Sequence, residues 1–165
     1  MKRSFLPIIL LLFAAVFGIG IVSAAEIFAE KVVGAPGEEK IVEVWLSEAP
    51  TGLAGYIMAP ILVGDEIATI QFIPSEEFIL SDIDEENMTA SALDLYDAVY
   101  AGSEPILLGT LHISAFRAGE SVVYFEIVEI TDDMGSPIEI TQNGIHVQVL
   151  GEKVPVTMVG LNIQP

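Results

Sequence analysis

Two stretches decide the fold class: Ile106-Leu107-Leu108-Gly109-Thr110-Leu111-His112-Ile113-Ser114-Ala115-Phe116 and Ser121-Val122-Val123-Tyr124-Phe125-Glu126-Ile127-Val128-Glu129-Ile130. In the first, Leu107, Gly109, Leu111, Ile113 and Ala115 alternate with Leu108, Thr110, His112, Ser114 and Phe116. A period of two is the signature of a strand. In the second, Val123, Phe125, Val128 and Ile130 fall near one side, and Glu126 and Glu129 fall outside. The register changes between Phe125 and Val128, which predicts a β-bulge there.

The same reading extends outward. Lys40 to Leu46 alternates, with Val42, Val44 and Leu46 on one face and Ile41, Glu43 and Trp45 on the other. Ile67 to Ile73 is rich in β-branched residues and is stopped by Pro74, while Ile145 to Leu150 alternates with His146 and Gln148 on the wet side. Between these runs lie turn clusters at Ala35-Pro36-Gly37-Glu38, Ala49-Pro50-Thr51-Gly52, Arg117-Ala118-Gly119-Glu120, Asp132-Asp133-Met134-Gly135 and Asn143-Gly144. Their spacing is that of an antiparallel sandwich. Glu85 to Leu95 comes nearest to an amphipathic helix, and its Thr, Ser and Asp content argues against one.

The ends differ from the middle. Lys2 and Arg3 precede an apolar run from Phe5 to Val22, and Ser23-Ala24-Ala25 supplies small residues before charge begins at Glu26. That order is a secretory signal, with cleavage expected after Ala24 or Ala25. The apolar run is also about long enough to span a bilayer, so an uncleaved anchor is the alternative and the only route to the membrane. Either way the remainder is expected outside the cell, secreted or at the cell surface. The domain plan is a signal peptide over 1–25, forming a helix, a sandwich over 26–150 and a tail over 151–165.

Charge narrows the partners. The 165 residues carry 24 Asp+Glu against 6 Lys+Arg, a net −18, with mean hydropathy +0.61 and no Cys. Removing Lys2 and Arg3 leaves Lys31, Lys40, Arg117 and Lys153 as the only Lys and Arg. Such a surface cannot neutralise a phosphate backbone, which excludes nucleic acid. It is equally unsuited to an anionic lipid surface. The absence of Cys removes disulfides, thiolate metal sites and cysteine nucleophiles.

An ordered series of short motifs carries a family resemblance. Gly34-Ala35-Pro36-Gly37-Glu38 leads into Val42-Glu43-Val44-Trp45-Leu46-Ser47, then Ala49-Pro50-Thr51-Gly52-Leu53-Ala54-Gly55-Tyr56. Ala92-Leu93-Asp94-Leu95 and Ile106-Leu107-Leu108-Gly109-Thr110-Leu111 follow, then Asp132-Asp133-Met134-Gly135-Ser136-Pro137-Ile138 and Gly144-Ile145-His146-Val147. Over residues 26–150 this succession resembles the cohesin module, especially the dispersed cohesin-like modules of archaeal exported proteins. The resemblance implies an all-β fold, an antiparallel jelly-roll sandwich of about nine strands, without enzymatic activity. It also implies a partner, a dockerin-like module or another cell-surface protein, held on the outer face of one sheet.

By that resemblance the strand around Gly52–Leu62 lies in the binding sheet. Gly55, Ile57 and Ala59 would face outward, and Tyr56 and Met58 would face the core. Asp94, Tyr96, Leu108, Thr110 and His112 would join the same face. The matching outward positions of cellulosomal cohesins are commonly polar; here they include Gly and Ile. The rival class is a carbohydrate-binding module, for which polysaccharide would stack on exposed rings, with Trp45 the first candidate.

Catalysis is not expected. The only histidines, His112 and His146, stand singly on strands, and no G-x-S-x-G, H-E-x-x-H or P-loop occurs. Pairs such as Glu76-Glu77 and Asp132-Asp133 sit at turns, where neighbours cannot clamp one bond. No cofactor is expected beyond a structural Ca²⁺, for which Asp82, Asp84 and Glu86 form a partial oxygen-ligand set without the sixth-position Gly of an EF-hand loop. Asn87-Met88-Thr89 is an N-glycosylation sequon.

Overall fold

The computed structural model describes residues 24–151; the expected signal-peptide segment before Ala24 and the expected tail beyond Gly151 lie outside the described residues. Eleven strands build two sheets, and no helix occurs among the described residues. The strands are β1 (Ala25–Phe28), β2 (Val32–Gly34), β3 (Glu39–Leu46), β4 (Gly55–Gly64), β5 (Ala68–Pro74) and β6 (Leu80–Asp84). They continue with β7 (Thr89–Leu93), β8 (Ile106–Ala115), β9 (Gly119–Thr131), β10 (Ile140–Gln142) and β11 (Ile145–Val149).

One sheet has the order β10-β1-β3-β8-β5 and the other β2-β11-β9-β4-β7-β6. All pairings are antiparallel except β1 with β10 and β11 with β2. The count exceeds the expected nine because the first and the last extended segments both divide, the last into β10 in one sheet and β11 in the other. The first segment's Ala25–Phe28 part joins one sheet and its Val32–Gly34 part joins the other, so the chain staples the two layers at its start. Gln142 adds a second staple: its side-chain amide accepts from Phe125 N and donates to Phe125 O, both at 2.8 Å, in place of a ladder partner.

The alternation read from the sequence places the core. Val44 and Leu46 of β3, Phe72 of β5, Leu111 and Ile113 of β8, Val123 and Phe125 of β9, and Val147 of β11 are buried between the sheets. Tyr56, Phe72, Phe78 and Phe125 form an edge-packed chain, with centroids of Tyr56 and Phe78 at 5.3 Å and of Phe72 and Phe125 at 5.2 Å. Such tilted contacts suit the ring quadrupole.

Two bulges correct the expected alternation. Val44 pairs with Gly109 but Trp45 pairs with Leu107, so Leu108 is the extra residue. The inserted residue reverses the side-chain sense before Gly109. Leu108, expected outside, is therefore buried, and Leu107, expected inside, stands beside the outward Trp45. In β9 the bulge falls inside the expected window. Ile57 pairs with Glu129 and Met58 with Ile127, leaving Val128 over. Val128, expected near the core side, is exposed, and Ile127 packs against the core instead.

Gly109 has a separate necessity. A Cβ there would stand 2.2 Å from the Ile73 carbonyl oxygen and 2.7 Å from the Phe72 ring. Only glycine lets β5 approach β8 at that point.

Candidate functional site

The outer face of the β4 sheet is the surface on which the expected binding residues can be tested. In β4, Tyr56 and Met58 point into the core, so Gly55, Ile57, Ala59, Ile61 and Val63 point out. Cross-strand pairing sets their neighbours. Gly55 faces Leu93 and Thr131, and Ile57 faces Ser91 and Glu129. Ala59 faces Glu126, Ile61 faces Tyr124, and Val63 faces Val122. Beyond β7, Asp82 pairs with Ser91 and Asp84 with Thr89.

Of the outward trio, only Ile57 is partly open. Ala59 is buried under its neighbours. Gly55 is covered as well: a Cβ there would meet the Ala92 carbonyl oxygen at 2.5 Å and Leu93 Cδ2 at 2.7 Å. Gly55 therefore serves the close packing of β4 on β7. The apolar exposure lies elsewhere on the same face, at Ile61 (41%), Val63 (52%), Leu80 (53%), Leu93 (45%) and Val128 (62%). Ile61 and Val63 were legible as the continuation of the Gly55–Ala59 alternation. Leu80 and Leu93 needed the β6–β7 pairing, which no local pattern announces. A depression of about 200 Å³ between Gly55, Ile57, Ser91, Leu93, Glu129 and Thr131 lies at the end of the face where β4 begins and β7 and β9 finish.

The later residues of the expected set divide. Asp94 and Tyr96 follow β7 at the end of this sheet, where Asp94 N donates to Ala54 O at 2.8 Å. The Asp94 carboxylate is turned into its own loop, accepting from Tyr96 N, Ala98 N and Val99 N. Tyr96 is exposed. Leu108, Thr110 and His112 belong to β8, which lies in the opposite sheet between β3 and β5. They cannot join Ile57 on one surface: Leu108 is in the core, and Thr110 and His112 look out from the other layer, 3.3 Å apart through Oγ1 and Nε2. The reason is the crossover at residues 94–105, which carries the chain from one layer to the other.

That opposite face holds the rings relevant to the sugar class. Phe28 pairs with Trp45 across β1 and β3, and the two line a hollow of about 550 Å³ with Ile41, Glu43 and Thr110. Trp45 is half-buried, and Tyr56 is fully inside.

The carboxylates considered for metal or catalysis are engaged in turns. Asp84 accepts from Asn87 Nδ2 at 2.8 Å, from Asn87 N at 3.2 Å and from Glu86 N at 3.0 Å, which holds it below the usual Asp range. Asp82 and Glu86 are exposed on either side, and no cluster of three or more His, Asp or Glu at metal-holding distance occurs among the described residues. Asn87 itself is exposed at the tip of the β6–β7 hairpin. Asp132 accepts from Ser136 N at 2.8 Å, from the Thr51 hydroxyl at 2.9 Å and from Met134 N at 3.0 Å, and these bonds lower its pKa. Asp133 is exposed overall, and its pKa is raised, first by partial desolvation of the carboxyl and then by the charges of Asp97, Asp94 and Asp132. The pair caps a hairpin and does not converge on a space where a substrate bond could sit.

No family model matches the chain, and none of the curated proteins matches it. Solved structures do. A cohesin from Clostridium acetobutylicum is 17% identical over 77% of this chain and 91% of its own, with a TM-score of 0.58. A chain of a cohesin–dockerin complex from Clostridium thermocellum is 12% identical over 79% of this chain and 97% of its own, at 0.59. A non-cellulosomal cohesin from the hyperthermophilic archaeon Archaeoglobus fulgidus is 15% identical over 78% of this chain and 92% of its own, at 0.55. The likeness is one of fold: the chain has the cohesin fold, an all-β sandwich.

Proposed function

We propose that this protein is an exported, non-catalytic interaction module that presents the outer face of its β4 sheet to a dockerin-type or other cell-surface protein. The observation that carries the reading is that Ile61, Val63, Leu80, Leu93 and Val128 are all exposed on the outer face of one rigid sheet, Leu80, Leu93 and Val128 toward the start of β4 and Ile61 and Val63 toward its end. Isolated apolar residues on a surface are ordinary, but a set gathered on one face is the mark of an interface. Fold-sharing proteins solved as cohesin–dockerin complexes support the choice of partner. The leader-like first 25 residues support export. Folding has already fixed the sheet, so little ordering cost remains at binding.

The test is capture of partners from culture supernatant and cell-surface extract, identified by mass spectrometry, with wild type against Ile57→Asp. Loss of one discrete partner with the variant supports the reading. Undiminished capture by the variant removes this face from consideration.

A second reading rests on Phe28 and Trp45. Their cross-strand placement beside a hollow on the other sheet supports carbohydrate binding there. Retardation in gels containing soluble polysaccharides, abolished by Trp45→Ala, would favour it.

A further inference from the structure

The β4 sheet carries a charge pattern that specifies its partner further, given the reading that this face is the docking surface. None of its six strands contains a Lys or Arg. Its outward carboxylates fall in two lines. Asp82 and Asp84 lie on β6, and Glu126 and Glu129 lie on β9, whose other outward carboxylate, Glu120, near the opposite end of the strand, accepts from Gln148 of β11. The four strands run in the order β9-β4-β7-β6, so Asp82, Ser91, Ile57 and Glu129 form one cross-strand row. Three strand spacings separate the two acidic lines, about 14 Å. Between them lie Ile57, Leu93 and the depression at the start of β4, without a charged side chain on β4 or β7.

The opposite sheet lacks this symmetry. Its outward strand carboxylates, Glu26, Glu39 and Glu43, are confined to β1 and β3, while β8 and β5 present Thr110, His112, Ser114, Thr69 and Gln71. The net charge of the molecule therefore does not by itself produce the two-line pattern. Of the three Lys and Arg among the described residues, Lys31 reaches Gln148 of β11, beyond β9 in this sheet, at 3.3 Å, Lys40 pairs with Glu38 at 3.0 Å, and Arg117 lies in the β8–β9 turn; none lies on β4, β6, β7 or β9.

We infer that the partner presents an apolar ridge flanked on both sides by Lys or Arg. The ridge fills the trough over Ile57 and Leu93. One flank meets Asp82 and Asp84, and the other meets Glu126 and Glu129. Opposed charges at a rim set orientation and on-rate more than they set affinity, and a two-sided rim admits a basic ridge while rejecting an acidic one.

Three synthetic amphipathic peptides with one leucine ridge and flanks of Lys, Gln or Glu test this, titrated into the ¹⁵N-labelled full-length chain. The Lys-flanked peptide should shift amides of β4, β6, β7 and β9 and bind roughly tenfold tighter than the Gln-flanked one, an advantage that shrinks with added salt. Asp82→Asn with Glu129→Gln should weaken it about fivefold, while Glu39→Gln with Glu43→Gln should change it less than about twofold. Equal binding of the Gln-flanked peptide at the same amides overturns the inference and leaves the face standing. Equal sensitivity to the two double variants reduces the effect to net charge and also overturns it. Shifts confined to β3, β8 and β5 would overturn both the inference and the docking face.

Discussion

The Tyr56 hydroxyl donates to the Leu108 carbonyl at 2.5 Å, joining β4 of one sheet to the bulged residue of β8 in the other. The same carbonyl accepts from Ser75 N at 2.9 Å. A carbonyl oxygen has two lone pairs, so it can serve Ser75 N and still accept a second donor. The buried phenol is the group that needs a partner and finds it there, and burial pushes its pKa up. Tyr56→Phe removes one donor while Ser75 N remains. The expected loss is about 1 kcal/mol, read as a lower urea midpoint with an unchanged slope.

Gly55 offers a sharper test of the close packing of β4 on β7. A Cβ at this position would enter the Ala92 carbonyl, and backbone cannot step aside without breaking the pairing. Gly55→Ala should cost about 1–3 kcal/mol, the range for overpacking. If melting is unaffected, the two strands are less tightly apposed than described.

The limits of sequence reading appear at specific residues. Lys40 to Leu46 and Ile145 to Leu150 were legible because each has one buried face, which fixes period and side together. The β9 bulge was legible because Glu126 and Glu129 could not both be outside without a slip. The β8 bulge was hidden because Leu107 and Leu108 are both apolar, so hydrophobicity cannot say which one turns inward. The membership of the expected binding face was misread for Leu108, Thr110 and His112 because sheet assignment depends on long-range pairing. Nothing local to β8 states that its neighbours are β3 and β5.

Asp132 and Asp133 predict opposite pH behaviour. Asp132 has a folded pKa below its ordinary value, so its stabilisation is present above about pH 4 and is lost as pH falls through the lowered value. Asp133 has a raised folded pKa, so its ionised form opposes folding at neutral pH, and that penalty disappears as pH falls. Asp132→Asn should lower the melting temperature at pH 7, and Asp133→Asn should raise it. Both differences should vanish in melts well below pH 4. A shift of the same sign for both variants at pH 7 would contradict the hairpin electrostatics.

The junction with the leader gives a chemical prediction. Ala25 is buried, its N–H donates to Glu139 O at 3.0 Å, and it pairs with Ile140 at the start of β1. A cut after Ala24 keeps this residue, whereas a cut after Ala25 deletes it from the core. If the leader is cleaved, mass spectrometry of the exported chain should find Ala25 as its first residue. A chain beginning at Glu26 would show that β1 tolerates the loss.

The acidic β6–β7 hairpin separates a turn from an ion site. Asp84 spends its carboxylate on three N–H groups of Glu86 and Asn87, so a cation there would have to displace bonds that already hold the turn. Oxygen ligands for Ca²⁺ must converge, and Asp82, Asp84 and Glu86 lie along a strand and its turn instead. Melting curves in EDTA and in millimolar Ca²⁺ should therefore coincide, while Asp84→Ala should lower both equally. A rise in Ca²⁺ that disappears in Asp84→Asn would instead establish the hairpin as a calcium site, with the turn bonds giving way to the ion.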